Sequence, residues 1–152
     1  MSTHFFGLTN RTYSYSHSIG RAEFSGSGMR NGVDLALGAD DMVYVLNRSY
    51  ENRPDGIHVT VFTMDEQYVS EFGSAGEGDG QFVWPTSISI DAKGNVYVAD
   101  EWLNRISVFN ADGEFQSKWG TAGSGDGELD RPAGLAVTSD GHILVVDSRN
   151  HR

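Results

Sequence analysis

The chain has 152 residues and a mass of 16.6 kDa, enough for one ordinary domain, and its 11 basic and 21 acidic residues give a net charge of −10, which disfavours nucleic acid and anionic membranes as partners. It has no cysteine, which excludes a disulfide framework and cysteine-ligated zinc, and no apolar run near the ~18 residues of a membrane-spanning helix. Aromatic residues at 11 % and 19 glycines describe a cored protein with many tight turns.

The opening residues MSTHFFGLTNR show no charged start followed by an apolar stretch. No signal peptide is read there, and a cytoplasmic location is the default expectation. Residues 1–12 form an N-terminal segment, and a repeat region of 13–152 follows, in units of about 13–72, 73–119 and 120–152. Tyr13 to Ile19 is expected to be a strand, because its Tyr15-x-x-x-Ile19-Gly20 matches Tyr68-x-x-x-Phe72-Gly73. Four antiparallel strands are expected over about residues 33–72. The next unit shows them most clearly. Thr86 to Ile90 is a short β-rich run, and Asp91-Ala92-Lys93-Gly94 is a turn in which glycine can take positive φ. Asn95 to Ala99 is β-branched and aromatic, and Asn104 to Phe109 alternates. Asn110-Ala111-Asp112-Gly113 turns again into Glu114 to Trp119. From residue 133 onward the pattern predicts half of another such unit. No stretch carries a helical period of useful length. One inner face is expected to hold the core, with Leu35, Leu37, Val43, Val45, Val59, Val61 and their equivalents in the later units.

The chain repeats itself. Phe72 to Arg105 aligns without a gap on Trp119 to Arg152 at an offset of 47 residues, so that Pro85, Gly94, Asp100 and Arg105 fall on Pro132, Gly141, Asp147 and Arg152. A more diverged copy lies upstream. Val43 to Asn47 matches Val96 to Asp100, and Val59 to Phe62 matches Ile106 to Phe109, with an insertion between them in RSYENRPDGI. Four antiparallel strands in a unit of this length predict an all-β fold, a β-propeller of four-stranded blades.

The pattern P-x-x-[IL]-x-[IV]-x-x-x-G-x-[IV]-x-V-x-D-x-x-x-x-R resembles the NHL repeat, carried here by Pro132, Gly141, Asp147 and Arg152 and their counterparts. The resemblance covers about residues 33–152 and implies a six-bladed propeller. Six units need about 280 residues, and the third unit stops before its third strand. The expectation is therefore a partial ring, a piece of a longer protein. Open blade edges would make it poorly stable or self-associating.

Several groups of residues invite a functional reading. Asp100/Arg105 and Asp147/Arg152 recur at equal spacing in the loop between second and third strands. Recurrence in successive units favours a structural brace over a ligand contact. The glycine-rich loops 73–80 and 120–127 are followed by no helix that could lend its dipole to a phosphate, and they carry too few carboxylates for calcium; they read as crossovers between blades. His4, His17, His58, His142 and His151 form no zinc-binding motif, and no cofactor is expected.

Departures from the repeat are more informative. Arg48, Tyr50 and Arg53 lie in the first unit's insertion, Trp102 in the second unit's loop, and Arg149 and His151 in the third unit's. Equivalent propeller loops share one face, so these six residues are expected around the mouth of a central channel. Arginine beside aromatic side chains suits a protein, peptide or small anionic ligand. The competing reading is that Trp102 and Tyr50 pack under their own loops. The expected function is a non-catalytic binding scaffold. The resemblance also admits a lyase like the peptide-amidating lyase, whose fold implies a zinc histidine directly after the proline; Thr86 and Ala133 stand there. It further admits RNA binding, as in tripartite-motif proteins, against which the acidic charge and two lysines weigh.

Overall fold

A computed structural model describes residues 14–18, 29–39, 41–49 and 53–152. The first four-stranded sheet runs β1 (Gly32–Leu37), β2 (Met42–Asn47), β3 (His58–Thr63) and β4 (Tyr68–Phe72). A crossover with two short parallel strands, β5 (Ser74–Ala75) and β6 (Gln81–Phe82), leads onward. The second sheet is β7 (Pro85–Ile90), β8 (Val96–Asp100), β9 (Arg105–Phe109) and β10 (Phe115–Trp119). A second crossover, β11 (Thr121–Ala122) with β12 (Glu128–Leu129), precedes the hairpin β13 (Pro132–Val137) and β14 (Ile143–Asp147). Strands within each large sheet pair antiparallel in chain order. Among the described residues these are two propeller blades and half of a third, in sheets that do not close into a ring. The expected bounds hold to about one residue.

The turns form for local reasons. Asp91 Oδ1 accepts the N–H groups of Lys93 and Asn95 at 2.8 and 2.9 Å, and Gly94 takes φ +85° to close the hairpin. Asn110 Oδ1 does the same for Asp112 and Glu114, with Gly113 at φ +79°. A side chain at Gly113 would also meet the Phe72 ring at 2.6 Å, so this turn is where the first blade's edge lies against the second.

Pairing decides which face each side chain takes, because directly opposed residues point the same way. Tyr44 opposes Val61 and Leu46 opposes Val59. These four, with Phe72, pack against Ile88, Val96, Val98 and Phe109 of the second blade. Phe72 and Phe82 lie 5.0 and 5.7 Å from Phe109. The opposite face of the second blade, with Ala99 and Ile106, packs with Leu129, Leu135 and Val145. The second blade therefore buries both faces. This corrects the single inner face expected from sequence: Val43 and Val45 oppose Phe62 and Thr60, on the side away from Val59 and Val61.

Leu35 and Leu37 also differ from expectation. They are 58 and 66 % exposed. With Met29, Val43, Val45 and Met64 they line an open apolar trough of about 800 Å³ on the far side of the first blade. Among the described residues no sheet covers it. Leu144 and Val146 are similarly exposed on the far side of β14. The strand expected at Tyr13 to Ile19 is not formed over the described residues 14–18, which carry no strand pairing. Tyr13 and Ile19 lie outside the described residues. Among the described residues no helix is long and apolar enough to cross a membrane.

The innermost strands are stitched together. Asp34 Oδ2 accepts the Ser87 hydroxyl at 2.6 Å and the Ile88 N–H at 2.9 Å. Ser87 Oγ in turn accepts the Leu135 N–H at 3.1 Å, and Ser89 Oγ the Val137 N–H at 3.2 Å. This belt fixes the blades side by side and aligns their loops at one end.

A candidate ligand site on the loop face

The loops between second and third strands rest on the crossovers. Asp100, fully buried at the end of β8, organises the second unit's corner. Its Oδ2 accepts the N–H groups of Val83 and Trp84 at 2.7 and 3.1 Å, and its Oδ1 those of Trp102 and Leu103 at 3.0 and 2.9 Å. Arg105 donates to the carbonyls of Glu77, Gly78 and Gln81 at 2.7 to 3.0 Å. The two side chains thus tie strand, loop and crossover together through backbone groups.

Asp147 and Arg152 repeat the device with one change, a direct ion pair of 3.0 Å. Arg152 also donates to Ser124, Gly125 and Glu128 carbonyls. Burial opposes ionisation of Asp147, but the Asn150 amide, the Asp130 N–H and Arg152 outweigh it and hold the carboxyl below its ordinary value. The glycine-rich loops are the crossovers themselves, and their carbonyls are occupied by these arginines.

A cavity of about 370 Å³ opens where the corners of successive units meet. The first unit supplies Ser49 and Ile57, the second Val83, Trp84, Glu101 and Trp102, and the third Arg131. Trp84 and Arg131 occupy the same repeat position, each directly before the proline that opens an innermost strand. Backbone bonds hold the walls: Glu101 N–H donates to the Trp84 carbonyl at 3.1 Å, and Arg131 N–H to Asn104 Oδ1 at 2.8 Å. Arg48 lies over the Trp84 ring, with its guanidinium carbon 4.4 Å from the centroid, a cation–π contact.

Of the six residues singled out from sequence, Trp102 lines this cavity and Arg48 reaches it only through its contact with the Trp84 ring. Trp102 is 64 % exposed, so it does not pack under its own loop. Arg53 lies farther along the insertion, 3.4 Å from Asp55, whose carboxyl it holds below the usual range. Arg149 is exposed, and its N–H donates to the Asp130 carbonyl beside Arg131. His151 is exposed in a left-handed conformation at φ +54°, matching Asn104 at φ +51°. The repeat needs that backbone geometry there, and Asn and His tolerate it better than most residues. Tyr50 lies outside the described residues. Sequence reading missed Trp84 and Arg131. The signal for them was a non-consensus residue before each proline: a large aromatic in one unit and a cation in the next.

The comparisons agree with this architecture. No curated protein sequence matches the chain significantly. Among solved structures, a putative exported protein from Bacteroides fragilis superposes with a TM-score of 0.62 at 18 % identity, over 84 % of this chain and 33 % of the other. A catalytically inactive virginiamycin B lyase from Staphylococcus aureus gives 0.56 at 14 %, over 79 and 36 %. A gluconolactonase from Xanthomonas campestris gives 0.54 at 15 %, over 78 and 35 %. The chain thus spans about a third of the length of each. The NHL repeat family model matches residues 82–109 and 129–152. Those two segments are NHL repeats, and the described sheets have the blade architecture of a β-propeller.

Proposed function

We propose that this chain is a binding scaffold whose loop face takes a protein, peptide or small anionic ligand. The observation that carries the reading is the cavity between units, lined by Trp84, Trp102 and Arg131, with Arg48 stacked on the Trp84 ring. Indole rings offer flat apolar area at low entropic cost, and guanidinium groups meet carboxylates or phosphates bidentately. The scaffold does not require these side chains, since equivalent positions in other units differ. The lyase and the lactonase share the fold, and a fold hosts many chemistries. Among the described residues no three His, Cys, Asp or Glu side chains gather as a metal site needs.

Selection of a displayed random-peptide library on the immobilised chain tests the reading. Enriched peptides are expected, and their binding should fall on the Trp102→Ala variant. No enrichment, or enrichment indifferent to changes on the loop face, overturns it.

A further inference from the structure

We infer that the cavity where the three units meet is an anchor pocket for one aromatic side chain of a peptide, with an adjacent carboxylate held by Arg131, which lines it, and by Arg48, which stacks on its Trp84 wall. This rests on the loop-face reading and narrows it to one pocket and one ligand chemistry.

The pocket's shape sets the anchor. Its volume of about 370 Å³ lies near the small end of ligand sites, too small for a folded partner and suited to one large side chain. Ile57, Val83, Trp84 and Trp102 make its walls apolar. An aromatic ring stacks offset or edge-on against indoles with a gain beyond its buried area.

Charge sets the flanking group. Most described cations near a carboxylate use it: Arg30 and Arg53 meet Asp55, Lys118 meets Asp79, and Arg152 meets Asp147. Arg105 is occupied by backbone carbonyls. Among the described residues, Arg48, Arg131 and Arg149 have no carboxylate within ion-pair distance. All three lie on the loop face. Arg48 is also held in place by its contact with Trp84, so its charge is positioned before a ligand arrives. Glu101, on the same wall, rejects a second carboxylate deeper in the pocket and favours an anchor that is itself uncharged.

The test uses two blocked hexapeptides, Ac-GSFEGS-NH2 and Ac-GSEFGS-NH2, titrated into the chain while tryptophan fluorescence is read. Saturable binding is expected for at least one. Replacing its Phe with Ala should abolish binding, and replacing Glu with Gln should weaken it severalfold. Arg131→Ala and Trp102→Ala should each weaken it by about tenfold. Both side chains are exposed, so these variants should fold; Trp84→Ala is compared only if its unfolding midpoint is kept. Binding unchanged in Arg131→Ala and Trp102→Ala overturns the pocket but leaves a peptide-binding loop face. No binding of either hexapeptide, while the displayed library still yields loop-face binders, overturns the ligand class alone.

Discussion

The corners that close the first and second units occupy the same place in their blades and are built from different chemistry. In the second, Asp100 gathers four backbone N–H groups and Arg105 three carbonyls, so the loop is locked to the crossover. In the first, Asn47 and His58 stand at those positions, paired across β2 and β3. Asn47 accepts the Arg30 N–H and donates to Val45, His58 and Thr60, staying mostly within its own sheet. His58 Nε2 is buried without a hydrogen-bond partner, 3.9 Å from Glu71. The charged corner is the repeat's structural device. The Asn47 corner gives up part of that bracing, and its loop carries the insertion that supplies Ser49 and Ile57 to the cavity and Arg48 to the Trp84 ring. Variation that the fold tolerates has collected where the cavity is.

The largest effect should come from the charged corner. Asp100→Ala leaves four part-buried N–H groups without their acceptor and should cost about 2–3 kcal/mol in urea unfolding. Asn47→Ala, at the equivalent place, should cost about 1–2 kcal/mol. Equal losses would erase the distinction between the corners. Arg105→Met keeps the stem's packing and removes the bonds to Glu77, Gly78 and Gln81; about 2 kcal/mol is expected, with hydrogen exchange rising first in residues 76–82.

Acid should sharpen the same contrast. The Asp147 carboxyl is held below its ordinary value in the folded chain. Its stabilisation is therefore complete above the unfolded value of about 3.9 and is lost as pH falls through the lower folded value. Unfolding midpoints measured from pH 6 down to pH 2 should drop at the acid end, and Asp147→Asn should flatten that drop. Asn47, which stands in the first unit where Asp147 stands in the third, cannot titrate and adds no such slope. Smallest of all, Trp102→Ala should change stability by less than about 0.5 kcal/mol, because the ring is mostly exposed.

Much of the scaffold was legible because repeats report themselves. Pro85, Gly94, Asp100 and Arg105 recurring 47 residues on located the strands and the turns. Face assignment was not legible in the same way. Val43 and Val59 look alike in a pattern, but their faces depend on the pairing register across β2 and β3, which an insertion of uncertain geometry hides. Coverage of Leu35 and Leu37 depends on what lies beyond the first sheet, which no local pattern encodes. Trp102 and Arg48 stood out as departures from the repeat. Trp84 and Arg131 escaped because their significance lies in three units meeting at one cavity, a property of blade packing.

The most direct test of the division between scaffold and site measures binding and stability on the same samples. Trp102→Ala and wild type are titrated with the acidic aromatic hexapeptide and then unfolded in urea in the same buffer. The account predicts affinity weakened by about tenfold with the unfolding midpoint unchanged. Unchanged affinity, or affinity lost only in step with stability, would contradict it.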